Sequence, residues 1–63
     1  MRDLAVIEAE LSEISTIQDD TTKLERIIAW SADHPHEVPL ALRFFIGSSK
    51  RIEEWLHRHA QNV

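Results

Sequence analysis

Sixty-three residues with a net charge of −4 and no cysteine describe one small domain, and they exclude disulfides and thiolate metal sites. A chain of this length buries only about 60% of the surface that its unfolded form exposes, so its single core is thin and a second copy is a common supplement. The start, MRDLAVIEAE, is interrupted by acids where a signal peptide needs an apolar core, and no run approaches the ~20 apolar residues of a membrane span, so a soluble cytoplasmic protein is expected.

One glycine, two prolines and 29% charged residues fit a helical domain spanning residues 1–63, without internal repeats or low-complexity tracts. Charge is unevenly placed: residues 1–37 hold nine acids against three bases, and residues 38–63 hold four bases against two acids. The overall negative charge disfavours non-specific binding to a phosphate backbone, although a local basic stripe still permits it.

Leu4, Ile7, Leu11 and Ile14 recur at intervals of three and four, the period of a helix with one apolar stripe, which predicts helix 1 over about residues 3–15. STIQDDTT then gathers side chains that compete for backbone hydrogen bonds and predicts a turn. Thr22 and Glu25 match a capping box, so helix 2 is expected to start there. It carries Leu24, Ile27, Ile28 and Ser31 and ends near Asp33, because Pro35 pushes the residue before it out of the helical region. HPHEVP is read as a linker, with Pro39 suited to a first helical turn.

Beyond Pro39, the residues Leu42, Phe45, Ser49, Ile52 and Leu56 hold one stripe that passes through Gly47 without losing phase. That continuity favours one long third helix. The competing reading ends a helix at Gly47 and starts a fourth, capped by Ser48 or Ser49. The expected architecture is an all-α helical hairpin plus a long C-terminal helix, a three-helix or four-helix bundle. Its core is expected to comprise Phe45, Ile52 and Leu56 with Leu4, Ile7, Leu11, Ile14, Leu24 and Ile28.

No acid pair, nucleophile turn or glycine-rich phosphate loop is present, so an enzyme is not expected. His34 and His36 flank Pro35, and His57 and His59 lie two apart, pointing roughly 200° from each other on a helix, so neither a metal site nor a cofactor is expected. On a continuous helix Arg43, Lys50, Arg51 and Arg58 fall within about 100° of arc, opposite the core stripe. Beside them lie Leu40, Phe44 and Trp55. Basic residues interleaved with aromatics suit single-stranded nucleic acid, but an outer helix face is ordinarily charged, and the apolar flank suits a protein contact. Trp30 is placed at the core edge or in the same kind of apolar patch. The expected partner is a second copy, giving a homodimer built on the C-terminal helix, with a host regulatory protein or nucleic acid as alternatives.

At ERIIAWSADHPHEVPLALRFF together with RIEEWLHRHA, the chain resembles the short proteins encoded in the early-lytic region of lambdoid phages, between the exonuclease and excisionase genes. The resemblance covers most of the chain. It implies a small helical protein made early after infection or induction, acting on host regulation and favouring lytic development in the host cytoplasm. Those motifs carry no chemistry, so no site residue transfers with them.

Overall fold

In the computed structural model, which describes residues 2–60, four α-helices follow one another: α1 (Leu4–Ser15), α2 (Asp20–Asp33), α3 (Val38–Phe44) and α4 (Lys50–Ala60), with a 3₁₀ turn at Pro35–Glu37. No strand occurs among the described residues, and no described helix is long and apolar enough to cross a membrane. Helices α1 and α2 form a hairpin, α3 packs on α1, and α3 and α4 form a second close pair.

Each helix start has a local cause. The Asp3 carboxylate accepts from the Ala5 amide at 3.1 Å and opens α1. Helix α2 starts earlier than the Thr22–Glu25 capping box implies. Its cap is Asp19, whose carboxylate accepts from the Thr22 amide at 2.9 Å and from the Thr22 hydroxyl at 2.8 Å. A carboxylate at a helix N-terminus opposes the helix dipole and accepts more strongly than a hydroxyl, so Asp19 outcompetes Thr22 for the role. These hydrogen bonds hold the Asp19 carboxyl below its ordinary pKa. Pro39 lies in the first turn of α3, as its missing amide hydrogen favours.

The long third helix does not form. Helix α3 ends at Phe44, and Gly47, in the turn that follows, has φ +92°, a left-handed conformation that residues with a Cβ rarely adopt. The Gly47 amide donates to the Glu53 carboxylate at 2.7 Å, and the Ser49 hydroxyl accepts from the Ile52 amide at 3.3 Å, which starts α4. The unbroken apolar phase reports that Phe45 and Ile52 both face the core. It does not report that one helix joins them.

Ile7, Leu11, Ile14, Ile27, Trp30, Val38, Ala41, Phe45, Ile52 and Leu56 form the core, with Leu24 half-buried against it. Two expected core residues lie outside. Leu4, the first residue of α1, is 54% exposed, and Ile28 is 39% exposed, whereas its neighbour Ile27 is 0% exposed. Adjacent residues of a helix point about 100° apart, so packing on α2 selects one isoleucine and leaves the other at the rim.

Candidate interaction surfaces

A polar cluster centred on Arg2 joins the two ends of the α1–α2 hairpin to the 3₁₀ turn. Arg2 donates from Nη1 and Nη2 to Glu10 at 2.9 and 2.8 Å, and from Nη2 and Nε to Glu37 at 2.6 and 3.1 Å. Trp30 Nε1 donates to the same Glu10 carboxylate at 2.9 Å, and its ring lies 5.2 Å from that of His34. The hydrogen bonds from Arg2, then the one from Trp30, pull the Glu10 carboxyl down to about 2, and Arg2 likewise lowers that of Glu37. His34 stands 3.9 Å from both carboxylates. Trp30 is therefore a core-edge residue with its indole nitrogen satisfied, and this cluster ties the chain to itself.

Three apolar grooves lie on the surface and share no lining residue. One, about 380 Å³, is lined by Leu42, Ile46, Lys50, Glu53, Glu54 and His57. The other two hold Leu40, Phe44 and Trp55, the apolar flank singled out in the sequence. The first of these two, about 310 Å³, runs between α1 and α3 and is lined by Leu4, Ile7, Glu8, Leu11, Leu40, Arg43 and Phe44. Its floor is the buried Ile7 and Leu11, and its rim is Leu4 and the 37% exposed Phe44, whose ring meets Phe45 edge-on at 5.1 Å. The second, about 280 Å³, runs between α2 and α4, and Ile28, Ser31, Val38, Trp55 and His59 contribute to it. The Trp55 ring stacks on His59 at 3.9 Å, and His59 Nδ1 lies 2.8 Å from the Trp55 carbonyl. Ser31 Oγ is buried there without a hydrogen-bond partner.

The break at Gly47 redistributes the residues expected on one helix face. Leu40 and Phe44 fall in the α1–α3 groove and Trp55 in the α2–α4 groove. Arg43 is on α3, while Lys50, Arg51 and Arg58 are on α4, so the four bases do not share a continuous helix. Arg51 is also engaged within the chain, with Nη1 3.7 Å from Asp20 and 3.3 Å from the Thr21 hydroxyl. Among the described residues no three His, Asp or Glu side chains are arranged to hold a metal ion. His59 lines the α2–α4 groove, whereas His57 lies in the groove formed with Leu42, Ile46, Lys50, Glu53 and Glu54.

Three members of these surfaces were not legible as such. Leu4 and Ile28 read as core by their spacing, and Ser31 read only as a member of the α2 stripe. The Arg2 cluster had no sequence signal, because Arg2 lies 8 residues from Glu10 and 35 from Glu37. Comparison of the chain with family models, with curated proteins and with solved structures finds no match.

Proposed function

We propose that this chain is a small, non-enzymatic regulatory adaptor that works through apolar helix-face contacts with other protein chains. The observation that carries the reading is the presence of apolar grooves with separate linings on different faces of the chain, among them one between α1 and α3 and one between α2 and α4. Apolar surface left open on so small a domain is the usual mark of an interaction site. More than one such face on one chain suits a protein that holds one partner while contacting another. The α2–α4 groove offers Trp55, a residue type enriched at interface centres. The sequence resemblance to early proteins of lambdoid phages supplies the setting: host regulation in the cytoplasm during the turn towards lytic growth.

The test is capture of proteins from the host cell on the immobilised chain, compared with Ile28→Glu, whose side chain is at the groove rim. A partner held as salt rises from about 50 to about 200 mM, and lost on Ile28→Glu with helical circular dichroism unchanged, supports the reading. Binding instead to oligonucleotides, falling steeply over that range and on Arg58→Glu, would move the function to nucleic-acid regulation through Arg43, Lys50, Arg51 and Arg58.

A further inference from the structure

We infer that the α1–α3 groove is the face of a two-fold homodimer in which Glu8 of each copy pairs with Arg43 of the other. The inference rests on the adaptor reading above and names the occupant of one of its faces.

The chemistry of the groove favours a second copy over a partner of uniform charge. Its floor and rim are apolar: Ile7 and Leu11 below, Leu4 and Phe44 at the edge. Its two walls carry one charge each and of opposite sign, Glu8 from α1 and Arg43 from α3. Both side chains are exposed, and neither makes a salt bridge or side-chain hydrogen bond within the described chain. A partner of uniform charge would satisfy one wall and repel the other. A two-fold axis sets the α1 wall of one copy on the α3 wall of the next, so both charges are answered at once while Leu4 and Phe44 cover each other's exposed faces. Two copies each carrying −4 repel at long range, so local complementarity of this kind is needed to orient them.

The two-fold pairing makes a specific demand on charge-reversal variants. Wild-type protein at roughly tens of micromolar should sediment as a dimer, with a melting temperature that rises with concentration. Glu8→Arg and Arg43→Glu should each raise the dissociation constant by roughly ten- to a hundredfold, because reversal turns both symmetry-related pairs repulsive. Mixed in equal amounts, the two variants should dimerise with each other, since one then presents two positive walls and the other two negative ones. The doubly reversed chain should dimerise alone. Helical circular dichroism confirms that each variant is folded, and Ile28→Glu, in the α2–α4 groove, should leave the dimer intact.

A wild-type monomer, single reversals that dimerise as well as wild type, a mixture that fails to associate, or dissociation by Ile28→Glu would each overturn the proposal. Partner capture through the α2–α4 groove is read separately. Its persistence in a chain shown to be monomeric would leave the adaptor reading standing without the dimer, and its absence with the dimer intact would remove the adaptor reading alone.

Discussion

Arg2 closes on Glu37 from 35 residues away, with Nη2 2.6 Å from one carboxylate oxygen, and so joins the start of the chain to the turn that launches α3. The Glu37 side chain is only 9% exposed, so the guanidinium supplies hydrogen bonds that water cannot. Arg2 also holds Glu10, which in turn accepts from the buried Trp30. A planar guanidinium with several donors suits this double engagement, and a lysine ammonium would not reproduce it.

The stability of the domain should therefore depend on acid in a defined direction. The Glu10 and Glu37 carboxyls are held below the ordinary value of 4.5, so their contribution is complete above that pH and is lost as pH falls towards about 2, where Glu10 protonates. Melting temperatures measured from neutral pH downwards should drop across that window. Arg2→Ala should melt lower than wild type at neutral pH and lose less on acidification, because its carboxylates are no longer favoured in the ionised form. A parallel acid profile for the two proteins would show that the cluster does not govern the response.

A comparison of two adjacent isoleucines tests the packing of α2. Ile27 is 0% exposed and Ile28 39% exposed. Ile27→Ala should cost about 2–5 kcal/mol, and Ile28→Ala less than about 1 kcal/mol, in urea unfolding followed by circular dichroism. Phe45→Ala, at the junction of α3 and α4, should cost about 3–5 kcal/mol, enough to unfold so small a domain. Equal losses at the two isoleucines would mean that α2 is rotated from the position described.

Gly47 tests the break between α3 and α4. A Cβ built at this position meets nothing within 4 Å, so any penalty for a side chain comes from the backbone at φ +92°. Gly47→Ala should destabilise by about 1–2 kcal/mol, and Gly47→Asn by less, because asparagine tolerates left-handed backbone better than alanine. Alanine without cost, accompanied by a gain in helical signal, would indicate a continuous helix through residues 38–60.

The all-α class, the stop before Pro35, the start beside Pro39 and most of the core were legible in the sequence because each follows from local chemistry. The recurrence of Ile7, Leu11 and Ile14 belongs to one helix, and the effect of a proline on its neighbours needs no tertiary contact. The rest depended on which elements meet. Periodicity offers both Ile27 and Ile28 to the interior, and only the position of α1 and α4 against α2 chooses between them. The apolar phase from Leu42 to Leu56 is equally consistent with one helix or two, since phase records the direction of side chains and not the sign of φ at Gly47. Once the chain turns there, Leu40 and Phe44 part from Trp55, and the basic residues part with them. Arg2 finds Glu10 and Glu37 only when the hairpin and the 3₁₀ turn are in place, because a pairing across 35 residues leaves no periodic trace in the chain.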